Sequence, residues 1–579
     1  MVALVNLLGS MREAPVSTQA PATAAGSPAP TDAAPTDAAP TPMTHREILE
    51  ALSGLLLAMF VAMLSSTVVT NALPRIVTDL NGSQSGYTWV VVSTLLAMTA
   101  TTPIWGKLAD LFSKKMLVQS ALVIYTIGSL ISAFAPSMGV LIGGRVVQGL
   151  GVGGLTALVQ VVIASMVSPR ERGRYSGYIG AVFATATVSG PLIGGLVVDS
   201  PLGWRGCFFV GLPFAVLAFY VLQRRLHLPV VRREVSIDYL GATLIVGGVS
   251  SLLIWVSLAG SSFAWASATT AVLLTLGVAL IAAALYVESW VAVDPVIPLR
   301  LFKDRTTALA TLASVMVGVA MFGATVYLSQ YFQLARGMSP TEAGLMSIAM
   351  VGGLLVSSIV SGRVISSTGI WKRWLVGGLV LVVVGLSLLS TIDADTPLVL
   401  VGVFMALVGI GLGSTMQNLV LAVQNNTSAQ DMGAASSVVA FFRSLGGSVG
   451  VSVLGAVLST QVAGTVRTGL ADMGVTDTGH ESSSIPDLAA LPAPIRDLYE
   501  HAFGTAVGHI FLVAVPFAIL ALVCVLFIKE VPLRTTLSDA AEPLGPKSPE
   551  ASAAGPIEAH AGGATVPVPA ARQSPAGNA

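Results

Sequence analysis

"SMGVLIGGRVVQGLGVGGLTALVQVVIASMV", residues 137–167, contains a single charge, Arg145. Coiled as an α-helix this stretch would be about 45 Å long, enough to cross about 30 Å of hydrocarbon. Gln148 at i+3 and Gly149 at i+4 share a face with Arg145. A buried guanidinium costs ~2.5–3.5 kcal/mol on insertion scales, so it faces a cavity or a partner unless it snorkels to the interface.

The rest of the chain has the same character. Of 579 residues 54% are hydrophobic and 10% charged, with a mean hydropathy of +0.81. Soluble domains carry about 25% charged residues, so this composition requires an all-α integral membrane protein. Apolar runs are expected to cross the membrane at 51–73, 87–106, 117–135, 138–163, 174–198, 207–222, 239–259 and 264–287. Six more lie at 306–331, 342–362, 374–392, 397–424, 433–463 and 503–528, making fourteen. The net charge is zero, which gives no basis for binding nucleic acid. Cys207 and Cys524 lie in or beside apolar runs and imply no disulfide framework. The opening "MVALVNLLGSM" lacks the basic residues of a signal peptide. Residues 14–42 and 535–579 are rich in Ala and Pro and are expected to be solvated tails.

Lys and Arg set the orientation. Loops on one side carry sixteen of them; those on the other carry five, Arg75, Arg205, Arg336, Arg467 and Arg496. The positive-inside rule then puts both termini in the cytoplasm.

An internal repeat organises the spans. Residues 149–177 align without a gap on 409–437, matching Gly149, Gly151, Gly153, Ser168, Gly173 and Ser176 to identical residues. The same 260-residue offset places Gly190 on Gly450 and Gly195 on Gly455. It pairs the fourth span with the twelfth, so the copies run in the same direction. Two parallel six-helix halves with two additional central helices satisfy that shift. Arg145 falls opposite Met405 and Arg443 opposite Phe183, so both mid-span arginines break the symmetry.

Four motifs carry a family resemblance. "GKLADLFSKK" (106–115) follows the second span and has a decayed copy, "GRVISSTGIWKR", at 362–373. "RVVQGLGVGG" (145–154) lies in the fourth span, "SGPLIGG" (189–195) in the fifth and "LSSTVVTNALP" (64–74) in the first. Over residues 46–530 the chain resembles the major facilitator superfamily, specifically its fourteen-span drug:proton antiporter family of multidrug efflux type. Two positions depart from that pattern: Ser65 stands where the family usually has Asp, and Thr70 where it usually has Asn.

The motif residues also have physical readings. Gly106 permits a tight turn, Asp110 can accept from backbone N–H groups, and Lys114 and Lys115 can hold the loop at an anionic leaflet. We expect Asp110 to pack against the start of the thirteenth span near Met432–Ala435, where helix-end N–H groups favour an anion. Pro191 should kink its helix, while Gly149, Gly153, Gly190, Gly194 and Gly195 allow close packing. The resemblance implies that Arg145 lines a central cavity and acts in proton or substrate coupling, with Gln148 on its face; Asp110 and Ser65 are further transport candidates. Arg443 is another because it breaks the repeat, the alternative being an intraprotein structural pair. The usual partner of Arg145 is missing at Ser65.

No acid falls in the middle of a span, so neutral, zwitterionic or anionic amphiphiles are expected in preference to dications. Proton coupling would then use an edge acid such as Asp110, Asp199 or Asp238. "GGSVG" (446–450) matches a hydrolase pattern but lies inside a span, no ATP-binding loop exists, and the histidines lack metal-ligand spacing. No enzyme, cofactor or metal is expected.

The expected organisation is a disordered cytoplasmic tail at 1–45, one half at 46–225, two extra helices with linkers at 226–305, the second half at 306–530 and another tail at 531–579. Residues 464–502 form an external loop in this reading. The implied function is export of drug-like or amphiphilic small molecules across the plasma membrane by a monomer embedded in the lipid bilayer, in exchange for protons. The alternatives are a facilitator or importer of a small solute, or a lipid or lipoglycan exporter of the same fold.

Overall fold

A computed structural model describes residues 45–80, 84–198, 200–226, 238–259, 263–292, 294–428, 430–473 and 492–534. Within these the chain is helical almost throughout, because a backbone in hydrocarbon must satisfy its polar groups locally. The first half comprises α1 (His45–Asp79), α2 (Gln84–Leu111), α3 (Lys114–Ala133), α4 (Met138–Met166), α5 (Pro169–Val198), α6 (Gly203–Phe209) and α7 (Gly211–Arg225). Next come α8 (Tyr239–Leu258) and α9 (Ala268–Tyr286). The second half comprises α10 (Arg305–Gln330), α11 (Pro340–Met346), α12 (Ile348–Thr368), α13 (Lys372–Leu389), α14 (Leu398–Asn426), α15 (Met432–Asp472) and α16 (Ala493–Leu526).

Thirteen helical stretches are long and apolar enough to cross a membrane, and α5, with 30 residues, supplies the fourteenth. Two of the crossings are broken, α6 with α7 and α11 with α12. The packing repeats between the halves: α2 and α3 lie on α4 as α12 and α13 lie on α14, and α1 touches α5 and α7 as α10 touches α15 and α16. Between the halves, α2 meets α15 and α5 meets α12. The extra pair packs on itself, with α8 touching α2 and α15. In α2 and α4 72% of the apolar window is buried, against 17% in α9, so α9 presents most of its surface to lipid.

Side-chain caps start several helices: Asp238 accepts from Gly241 N (2.7 Å), Asp304 from Thr307 N (2.8 Å), and Ser339 with Glu342 forms a capping box.

Some helix ends differ from the apolar runs. The expected external loop at 464–502 is shorter, because α15 continues to Asp472 and α16 begins at Ala493. Arg467, Arg496 and Glu500 end hydropathy without ending the helix. The segment from 531 is not a free tail at its start. Leu533 is buried, Val531 O accepts from Trp371 Nε1 (2.9 Å) and Pro532 O accepts from Asn425 Nδ2 (3.1 Å). Cys207 and Cys524 are buried free thiols. Residues 1–44 and 535–579, Asp199 and the side chain of Thr70 lie outside the described residues.

Candidate functional site

The polar cluster around Arg145 is set by close packing of α2 on α4. A Cβ at Gly149 would lie 2.5 Å from Thr94 O, and one at Gly153 2.6 Å from Met98 O, so larger residues would push the helices apart. The contact brings Thr94 Oγ1 to Arg145 O (3.2 Å). The Arg145 guanidinium donates through Nε to Val90 O (3.3 Å) and through Nη1 to Gln148 Oε1. Gln148 Nε2 donates to Ser65 Oγ and Ser129 Oγ, both at 2.8 Å. Tyr125 on α3 lies close to Ser65, Ser129, Gln148 and Arg145.

Arg145 and Gln148 are buried, so this network sits among α1, α2, α3 and α4, inside the first half. Charged hydrogen bonds contribute roughly 1.5–3 kcal/mol each, enough to offset the insertion cost of the guanidinium without a carboxylate. Ser65 takes the place of a counter-ion only as a link to Gln148.

The loop-bearing end of α2 forms a second cluster. Asp110 Oδ1 accepts from Gly433 N (2.8 Å) and Oδ2 from Ala434 N (2.9 Å), the first turn of α15 and the position anticipated from the motif. An anion at a helix N-terminus contributes about 0.3–1 kcal/mol, and up to ~2 kcal/mol when partly buried. A Cβ at Gly106 would overlap Ser437 and press on Gly433 O, so glycine is required where α2 crosses α15. Lys107 and Lys114 lie within electrostatic range of Asp110. Lys115, expected to hold the loop at a leaflet, is directed to protein: its Nζ donates to Gln223 O (2.7 Å) in the last turn of α7.

In α5, a Cβ at Gly190 would overlap Thr67 of α1, and Thr67 Oγ1 donates to Ala186 O (3.4 Å). Gly194 is buried on the same helix, while the side-chain surroundings of Pro191 and Gly195 lie outside the described residues. Arg443 sits in α15, shares no hydrogen bond with Arg145's network and is half-buried.

Apart from that of Asp110, the sequence reading missed the contacts that cross between the halves. Arg172, counted only as a loop charge, is buried; it donates to Ala164 O (2.5 Å), Val167 O (2.9 Å) and Gln424 Oε1 (2.9 Å). Gln424 Nε2 in turn donates to Ser436 Oγ (2.9 Å). Arg170 donates to Ser366 O (3.3 Å) and Ser367 O (3.1 Å), and Gln160 Nε2 to Gln417 Oε1 (3.1 Å). All of these gather toward the end that carries the basic loops. Ala164 and Gln424 are equivalent under the 260-residue offset, and their shared contact with Arg172 sets both near the axis relating the halves.

Twelve crossings in two repeated halves plus an extra pair, the halves joined at one end around buried polar side chains, define a multi-pass membrane transporter rather than an enzyme. Residues 55–451 match the sequence profile of the Major Facilitator Superfamily, and the chain belongs to that family. It is 34% identical over 495 residues to "Efflux pump dotC" of Dothistroma septosporum, covering 84% of each chain. It is 35% identical over 410 residues to "Multidrug transporter protein MdtP" of Bacillus subtilis (strain 168), covering 71% of this chain and 75% of the relative. Among solved structures it is similar in fold to the proton:xylose symporter XylE, with a TM-score of 0.54 at 14% identity over 82% of this chain and 95% of that one.

Proposed function

We propose that the chain exports drug-like or amphiphilic small molecules across the plasma membrane by proton antiport, as a monomer with both termini in the cytoplasm. The names of the relatives, an efflux pump and a multidrug transporter, support export. The sixteen Lys and Arg of one set of loops support placing that end in the cytoplasm. Residues 46–225 and 306–530 are then the two halves that rock against each other, with 226–305 between them.

One observation carries the coupling: a carboxylate, Asp110, holds the α2–α15 seam at the cytoplasmic end. Charged, it favours the state closed to the cytoplasm; protonated, it loses most of its attraction for the helix terminus and can donate only one proton of its own. Arg145 and Gln148 brace the first half, so that the seam moves as a unit.

Inside-out vesicles test the reading. An acid lumen should drive uptake of a fluorescent amphiphile, and a protonophore should abolish it. Uptake indifferent to both gradient and protonophore would replace antiport with facilitated diffusion.

A further inference from the structure

Arg443 lies eleven residues into α15, about 16 Å from its start. Among the described residues its guanidinium has no hydrogen bond, ion pair or aromatic partner, and no charged group lies within electrostatic range. It is half-buried.

The surroundings set this segment between the halves rather than on the lipid face. Phe441 belongs to the core of the first half although it lies on a second-half helix, and Phe442 and Leu445 pack against that same core. Phe183, the residue equivalent to Arg443 under the repeat, packs on the cores of both halves. The segment 441–445 therefore lies at the seam. Behind it, α15 is pressed onto α10: a Cβ at Gly318 would overlap Arg443 O, and one at Gly446 would overlap Val315 O. A rigidly backed guanidinium at the seam, without a partner among the described residues, is a cation awaiting one.

Near Arg443 the seam offers amides and rings; its carboxylate, Asp110, is held at the start of α15 by Gly433 N and Ala434 N. Gln160 and Gln417 bond across the seam, Asn418 is occupied by Ser414 O (2.6 Å), and Phe302, Phe442 and Phe441 form an edge-to-face chain.

We propose that Arg443 is the anion-recognition element of the transport pathway, and that the preferred substrates are amphiphiles carrying one anionic group, such as a carboxylate, beside an aromatic or aliphatic body. The guanidinium fork pairs with the carboxylate in a bidentate manner, and the nearby phenylalanines take the apolar body. Binding removes the cost of the bare charge, which a neutral or cationic ligand cannot do. This inference rests on the export reading.

The test compares pyrenebutyrate with its uncharged amide, in inside-out vesicles with an imposed proton gradient, for the wild-type protein, Arg443→Gln and Arg443→Lys. The wild type should move both probes, the carboxylate with the lower KM. Arg443→Gln should slow carboxylate uptake by about tenfold or more and leave the amide within about twofold. If Arg443→Gln does not reach the membrane, Arg443→Lys carries the test: its carboxylate KM should rise about tenfold while the amide is unchanged.

Equal loss of both probes, or no loss of the carboxylate, overturns the proposal. A wild type that moves the amide but not the carboxylate also overturns it and leaves the export reading intact. A wild type that moves neither probe contradicts the export reading, and the inference falls with it.

Discussion

At the α2–α15 seam the carboxylate of Asp110 meets the first N–H groups of α15; at the α12–α5 seam the guanidinium of Arg170 meets the last carbonyls of α12. The internal repeat relates the two places, with Ser366 standing where Asp110 would fall when Gly106 is set on Gly362. Both charges complement a helix dipole, one at its positive end and one at its negative end. Geometry has thus been kept while the chemistry was inverted. The inversion has a consequence for protons: a carboxylate can be neutralised at accessible pH and a guanidinium cannot. Only one of two equivalent seams can respond to protonation.

The largest expected effect comes from removing that response. Asp110→Asn keeps the shape but loses the charge at the α15 terminus, and should lower gradient-driven transport at least about tenfold with normal membrane insertion. Full export by this variant would show that the seam does not control the cycle.

Glycines sharpen the comparison. A Cβ at Gly106 would overlap Ser437 and lie 2.7 Å from the backbone oxygen of Gly433, whereas one at Gly177 would meet Cγ1 of Ile359 at 2.5 Å and backbone no closer than 3.2 Å. Gly106→Ala should cost transport about fivefold and Gly177→Ala less than about twofold, measured as initial uptake rates. Equal losses would mean that the two seams are packed alike.

Arg145 tests whether bracing inside the first half matters to the seam. Arg145→Lys cannot supply both Val90 O and Gln148 Oε1 from a rigid fork, so it should lower transport about three- to fivefold and reduce the melting temperature of the purified protein. Wild-type behaviour of the lysine variant would point to a snorkelling side chain instead. The smallest effect is assigned to Arg170→Ala, a partly exposed charge worth about 0.5–1 kcal/mol, which should alter uptake by no more than about threefold and leave its pH dependence unchanged. A shifted pH profile there would contradict the assignment of proton response to Asp110.

Much of the fold was legible because nothing but a membrane helix explains 20-residue apolar runs separated by basic loops. The repeat was legible because glycine positions at helix crossings survive where other residues drift: Gly149, Gly153 and Gly190 each sit where a Cβ would collide. Breaks such as that between Phe209 and Gly211 leave hydropathy unchanged and could not be seen. The ends of α15 and α16 were misplaced because polar residues leave the bilayer without leaving the helix.

Within the candidate site, Asp110's partner was anticipated because the motif, the loop and a helix start all pointed to one place. Arg172's was not, since Gln424 is 252 residues away and a lone glutamine in an apolar run has no periodicity. Ser129 was missed for a similar reason: a serine in a membrane helix reads as a packing residue until the glutamine opposite it is located.

The most direct test measures the two seams in one sample set. Spin labels at Ser113 and Gln430 report the α2–α15 seam, and labels at Arg174 and Ser367 report the α12–α5 seam, by pulsed electron resonance in lipid nanodiscs. Asp110 stabilises closure only while charged, so this contribution is present at the higher pH and lost as pH falls through its titration. The account predicts that acidification lengthens the first distance distribution, that Asp110→Asn holds it at the longer value at every pH, and that Asp110→Asn removes the pH response at both seams. A first distance that ignores pH, or that still responds to pH in Asp110→Asn, would contradict it.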